Sequence, residues 1–188
     1  MATRVLIPLA KGFEEIEAIC VIDVLRRVGC EVILAAVDKE SQESLVVESQ
    51  SGVKIVADLK ISEIQANNLD GVVLPGGWEG TQNLIASTAL HAILSELNEK
   101  ERICAAICAA PLALFKHKIL TNQNFTCYPS IEKEIDNPHY KADSNVVQDG
   151  NLITSRGPAT ALEFAFFLAR VFAGEQKSQE VQTGMLSV

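Results

Sequence analysis

The sequence predicts an α/β fold, a mostly parallel sheet with helices on both faces. Three observations carry that prediction. Short continuous apolar runs alternate with longer stretches whose apolar residues recur at helical spacing. The alternation persists along the chain with no repeat, low-complexity segment or Pro/Gly-rich linker. The strand-like runs are apolar throughout, as strands buried on both faces must be. At 188 residues the chain suits one domain, 1–188, and buries roughly 70% of its unfolded surface at that size.

The elements follow in order. Arg4–Leu9 (RVLIPL) is a buried strand. Glu14–Val28 is a helix, stopped by Gly29 at the usual position just past a C-terminus. Glu31–Val37 (EVILAAV) is a second strand. Leu45–Glu48 and Val53–Val56 flank Ser51-Gly52 and suggest a hairpin. Asp70–Leu74 (DGVVL) is a strand that ends in Pro75-Gly76-Gly77. Thr88–Lys100 has a helical pattern. Arg102–Ile107 (RICAAI) is a strand followed at once by a helix through Phe115. Val146–Gln148 and Leu152–Thr154 flank Asp149-Gly150, a second hairpin signal. Ala159–Phe172 closes the chain as a helix that is apolar on more than one face.

Composition narrows the function. Apolar residues make up 48% and charged residues 21%, which excludes wholesale disorder. The net charge of −8 repels a phosphate backbone and argues against a nucleic-acid groove. Five cysteines, an odd number with no CxxC pair, disfavour a secreted disulfide framework. No secretory signal is expected, since the first apolar stretch contains Pro8 and runs into Lys11 and Gly12. The longest apolar run, Ile103 to Phe115, is shorter than the ~20 residues of a membrane helix. These points predict a soluble cytoplasmic protein. No His/Cys spacing suits a metal, and neither metal nor cofactor is expected.

Sheets of this kind place ligands beyond the carboxyl ends of their strands. Three segments fall there: Ala10–Glu17, Pro75–Trp78 and Cys108–Pro111. In the first, Phe13, Cys20, Val21, Val24 and Val28 share one helical face, and Glu17 lies in its middle. Glu15 and Arg26 lie opposite, where charges belong. A buried carboxyl must find a partner or take up a proton. One reading of Glu17 is a cap or an arginine partner, and the other is a protonated donor in a pocket. A second apolar group on the same helix, Ile16, Ile19 and Ile22, places it in the core or at a subunit interface.

Cys108 follows a strand and precedes a helix, with small residues on both sides. Such an elbow resembles the GxSxG turn in mechanics, and helix N–H groups beside it favour a thiolate nucleophile. The competing reading is an inert core cysteine. Cys104 points into the core, Cys20 and Cys30 look structural, and Cys127 is open. Pro75-Gly76-Gly77 lets backbone approach a ligand closely but is too short for a phosphate loop. His91 and His117 are expected at the solvent and His139 in a loop, so no histidine is placed as a base for Cys108.

Four segments together, AKGFEEIEA at 10–18, DGVVLPGG at 70–77, AAICAAP at 105–111 and TSRGPAT at 154–160, resemble the DJ-1/ThiJ/PfpI superfamily, and its DJ-1-like branch in particular. The match runs in order over nearly the whole chain. The resemblance implies a flavodoxin-like three-layer sandwich and a homodimer packed partly through the first helix, around Ile16 and Ile19. It implies that Cys108 is the reactive cysteine and Glu17 the protonated carboxyl against its sulfur. Gly77 and Ala109 match the anion-hole N–H positions, with Gly76 beside them. Gly157 and Pro158 match a turn that family dimers bring near the neighbouring subunit's pocket. Two departures stand out. Tyr128 occupies a position that is histidine in many relatives, and a phenol is a poor base at neutral pH. Ala109 replaces the histidine of the protease-like branch, which disfavours peptidase activity.

The resemblance also implies chemistry. The first expectation is a glutathione-independent glyoxalase or deglycase acting on methylglyoxal, related oxoaldehydes or their adducts, slowed by Tyr128. The alternative is an oxidative-stress sensor or chaperone in which Cys108 is oxidised to sulfinate. Thiamine-pathway chemistry, suggested by the ThiJ name, finds no diphosphate or thiazole site in these residues.

Overall fold

The computed structural model describes residues 2–187. Its centre is a seven-stranded sheet. The strands are β1 (Arg4–Leu9), β2 (Glu31–Ala36), β5 (Leu59–Lys60), β6 (Gly71–Leu74), β7 (Ile103–Ile107), β8 (Val146–Asp149) and β9 (Leu152–Ser155), in the order β5-β2-β1-β6-β7-β9-β8. Every pairing is parallel except β8 with β9, which form the second expected hairpin. The first expected hairpin is also present, β3 (Val46–Glu48) against β4 (Lys54–Val56), as a separate two-stranded ribbon.

Alternation along the strands builds two cores. Val5, Ile7 and Leu9 of β1 face helices α1 (Glu15–Arg27) and α6 (Ala161–Ala173), with Val21, Leu25, Phe164 and Leu168 buried between. Leu6, Val72 and Leu74 face the opposite layer, where α4 (Thr88–Glu99) and α5 (Pro111–Lys116) supply Leu90, Leu94, Leu97 and Leu112. Each fully buried leucine or isoleucine contributes about 1.5–3 kcal/mol of transfer free energy. The result is the three-layer sandwich expected from the sequence.

Four elements escaped the sequence reading. The helix α2 (Lys39–Ser44) is short and mostly polar. The helix α3 (Trp78–Ala86) carries Gly80 and Thr81, both poor helix formers, because it packs tightly. A Cβ at Gly80 would lie 2.9 Å from the Phe13 backbone. The helix α7 (Glu175–Gly184) buries only Ser178, so no apolar stripe announces it. The strand β5 is two residues long. Two placements need correction. His117 is buried rather than solvent-facing, because it closes α5 with Nε2 3.0 Å from the Leu84 carbonyl oxygen. Ile22 is buried too, so only Ile16 and Ile19 of their group remain exposed.

Among the described residues no helix is long and apolar enough to cross a membrane. The order of β2, β1 and β6 makes the gap between β1 and β6 a point where the chain reverses direction across the sheet. Ligand sites form outside strand ends at such points. The parallel register of β1, β6 and β7 delivers the loops after Leu9, Leu74 and Ile107 to one edge.

Candidate active site

Cys108 is the first residue after β7, and its φ is +65°. A side chain in that left-handed region costs roughly 1–3 kcal/mol and persists only where neighbours hold it. Two hydrogen bonds do so. The Cys108 N–H donates to the Ser155 carbonyl at 3.0 Å, and its carbonyl accepts from the Tyr128 N–H at 2.9 Å. Small Ala109 and Ala110 pass beneath, and Pro111 opens α5. The elbow therefore turns the sulfur away from the core toward the strand-end cleft, where Cys108 is a lining residue.

Glu17 lies in the first turn of α1 and is fully buried. Its Oε2 accepts the Gly76 N–H at 2.8 Å, and its carboxyl lies beside Cys108, the two converging on Gly76. Oε1 is buried with no hydrogen-bond partner. Burial, with the nearby Glu14 charge, raises the carboxyl to about 7, against the pull of the Gly76 N–H and of Cys108. A carboxyl so placed is readily protonated, and an O–H is what the orphaned oxygen and the sulfur both suit.

The thiol behaves differently from the sequence expectation. The N–H groups of Gly77 and Ala109 reach the sulfur and favour its thiolate, as an elbow predicts. Burial and the Glu17 charge outweigh them and push the thiol up to about 12. The Glu17 contribution exists only while that carboxyl is ionised. Once Glu17 carries a proton, repulsion ends and its O–H donates to the sulfur. The two groups therefore titrate as a pair and not as independent residues.

Gly76 and Gly77 are what let these parts meet. A Cβ at Gly76 would lie 2.6 Å from Cys108 Cβ and 2.7 Å from Glu17 Oε2. Gly77 has φ +86° and presses against the backbone of Gly12 and Glu14. Gly76 was expected among the substrate-facing donors, but its N–H is occupied by Glu17. It positions the carboxyl instead.

The cleft holds about 400 Å³. Of the residues singled out from sequence, Cys108, Gly77, Ala109, Tyr128 and Pro158 line it, while Glu17 and Gly76 stand behind the sulfur. No histidine is among the lining residues. Glu14 and Trp78, which fall in the strand-end segments without a role assigned from sequence, also line it, as do Gln50, Ser130 and Ile131, which the sequence reading missed. Glu14 had a legible signal. It caps α1, accepting the Glu17 N–H at 2.7 Å, and an acidic residue before a helix start invites that role. Gln50 had none, because it arrives from the β3–β4 turn through a bond from its N–H to the Phe13 carbonyl. Among the described residues, no three metal-ligating side chains cluster.

The sequence model of the DJ-1/PfpI family matches residues 3–170. Protein dj-1beta of Drosophila melanogaster is 40% identical over 187 residues, spanning 99% of this chain and 98% of its own. A crystal structure of that DJ-1beta gives a TM-score of 0.93, again at 40% identity, covering 99% and 98% of the two chains. Oxidised DJ-1 of Toxoplasma gondii gives a TM-score of 0.91 at 32% identity and 98% coverage of both chains. A glutathione-independent glyoxalase of Caenorhabditis elegans, DJR-1.2, is 31% identical over 169 residues, spanning 89% of this chain and 87% of its own.

Proposed function

The chain belongs to the DJ-1/PfpI family, and from that premise we propose that it is a cytoprotective, cysteine-dependent glyoxalase or deglycase for methylglyoxal, related oxoaldehydes and their adducts. The observation that carries the reading is the contact of a buried carboxyl, raised to about 7, with a cleft-facing sulfur. The relative named as a glutathione-independent glyoxalase supports the reaction class.

The chemistry follows from the pair. As Cys108 sulfur bonds to the aldehyde carbon, its proton passes to Glu17. The new oxyanion meets the N–H groups of Gly77 and Ala109, donors worth about 3–4 kcal/mol each when well aligned. Glu17 returns its proton to that oxygen, giving a neutral hemithioacetal. The carboxylate then takes the hydrogen of the former aldehyde carbon as a proton and delivers it to the neighbouring carbonyl carbon, while the hydroxyl proton passes to that carbonyl's oxygen, leaving the thioester of a hydroxy acid. Water cleaves the thioester to a hydroxy acid and restores the thiol. Methylglyoxal plus water thus becomes lactic acid, with no external redox partner. A carboxyl near pH 7 suits both directions of this transfer. Tyr128 supplies no competent base, which sets the expectation of slow turnover. The assembly belongs to the same reading. Ile16 and Ile19 are 53% and 46% exposed on α1, an apolar pair suited to a homodimer through that helix.

One observation favours a second reading. The donors around the sulfur would hold a sulfinate as readily as an oxyanion, so Cys108 would serve as an oxidation sensor with little turnover. Lactate formation from methylglyoxal without glutathione separates the two when wild type is compared with Cys108→Ser. Mass spectrometry after mild peroxide provides the second axis. A sensor gains two oxygens chiefly on Cys108, and even oxidation of all five cysteines contradicts it.

A further inference from the structure

His91 and His117 lie away from the cleft and take no part in the chemistry of Cys108. They are distant in sequence, His91 in the first turn of α4 and His117 at the residue that closes α5. The fold sets their ring centres 5.3 Å apart, with the planes tilted by 31°. A metal about 2.0–2.1 Å from an imidazole nitrogen lies about 3.2 Å from the ring centre, and a tetrahedral angle between two such rings puts their centres about 5.2 Å apart. The observed spacing matches that of two ligands on one ion.

The state of each ring fits the role. Metal-bound histidines almost always donate their other N–H to a carboxylate or a backbone carbonyl, which fixes the tautomer. His117 has that support. Its Nε2 lies 3.0 Å from the Leu84 carbonyl oxygen, which can only accept, so Nε2 carries the proton and Nδ1 keeps its lone pair. Among the described residues Nδ1 has no hydrogen-bond partner, yet it is not sealed from solvent. Burial, opposed by the Leu84 carbonyl and helped by the nearby His91, lowers the proton affinity of the His117 ring and keeps it neutral at pH 7. His91 is exposed, and its ring makes no hydrogen bond among the described residues, so it is free to turn a nitrogen toward the ion.

We propose that His91 and His117 form a two-histidine seat for a divalent late transition-metal ion of the zinc, nickel or copper kind, with water completing the coordination. Imidazole suits those ions. No third metal-ligating side chain joins the pair among the described residues. Two protein ligands, with Lys116 and Lys118 beside one of them, make a weak and exchangeable site and not a closed structural one. An ion there ties the C-terminal end of α5, the helix that leaves the Cys108 elbow, to α4.

Zn²⁺ alone is the probe, added to reduced Cys108→Ser so that the active-site sulfur does not compete. Calorimetry should show one ion bound, and the melting temperature should rise with its concentration. Adding His91→Ala, an exposed change that leaves the core intact, should weaken binding at least about tenfold, the least that losing even a supporting partner costs. Adding His139→Ala should leave binding unchanged. Nitrogen NMR of the imidazoles should show the His117 Nδ1 signal move while Nε2 keeps its proton. No binding to Cys108→Ser, binding unchanged by His91→Ala, or a shift confined to His117 Nε2 overturns the site.

Discussion

The Glu17 carboxyl and the Cys108 side chain converge on Gly76, and each changes the proton affinity of the other. One proton is in effect shared between them. Removing it leaves either a carboxylate beside a thiol or a thiolate beside a carboxylic acid. The second arrangement is the reactive one, and its share is set by the pair.

Alkylation of Cys108 should therefore titrate with Glu17. For wild type, the rate against pH should step upward near 7, where the pair loses its first proton. In Glu17→Gln that step should vanish. The remaining rise should then follow the buried thiol itself, above the ordinary value of 9.0. Iodoacetamide labelling read by mass spectrometry measures both profiles, and superimposable profiles would contradict the coupling.

Stability should carry the same signature. The folded Glu17 binds its proton up to about 7, whereas an unperturbed carboxyl releases it near 4.5. Between those values the folded state holds more protons than the unfolded state, so this group's contribution is full below 4.5 and is lost as pH rises to 7. The loss amounts to about 3 kcal/mol for a shift of this size. Glu17→Gln mimics the protonated group without titrating. Urea unfolding at pH 5 and pH 7.5 should show the mutant gaining on wild type by about 2 kcal/mol, the part of that loss falling between the two pH values. A constant difference between the two proteins would refute the shifted carboxyl. Asp38, lowered by N–H bonds that outweigh its burial, follows the opposite sign and cancels in the comparison.

Gly76→Ala should damage the site while leaving the sheet in place. The added methyl has no room between Cys108 and Glu17. Overpacking of this kind costs about 1–3 kcal/mol. Circular dichroism should stay native-like while the step near pH 7 in Cys108 alkylation shifts or disappears. A variant with wild-type stability and an unchanged step would mean that the loop yields freely.

Tyr128→His should raise turnover. The side chain is half exposed, so the fold has little stake in it. An imidazole beside the sulfur would supply the base the phenol lacks, an effect of up to about a hundredfold in kcat. Steady-state kinetics with methylglyoxal decide it. An unchanged or lower kcat would show that Tyr128 does not limit the reaction.

Ile19→Asp should convert a dimer to a monomer. Ile19 is about half exposed on α1 and belongs to neither buried core. Sedimentation at micromolar concentration should show the change, whereas a monomeric wild type would remove the premise.

The strands were legible because burial on both faces writes continuous apolar runs such as RVLIPL and ICAAI. Glu17 was legible because a charge interrupts an apolar helical face. The protonation behaviour of Cys108 was not. The sequence shows the elbow and its N–H groups, but the burial that opposes them comes from chain segments distant in sequence. Gln50 reaches the cleft only through tertiary contact with Phe13. The helix α7 escaped because almost nothing on it is buried, and His117 because a lone histidine among polar neighbours carries no sign of its bond to Leu84.

The central claim is that the Glu17–Cys108 pair performs catalysis. Lactate released from methylglyoxal without glutathione measures it most directly, in fully reduced wild type, Cys108→Ser and Glu17→Gln. The account predicts multiple turnovers in wild type, none in Cys108→Ser, and a loss of at least about a hundredfold in Glu17→Gln. Full activity in Glu17→Gln, or no turnover in folded and reduced wild type, would contradict it.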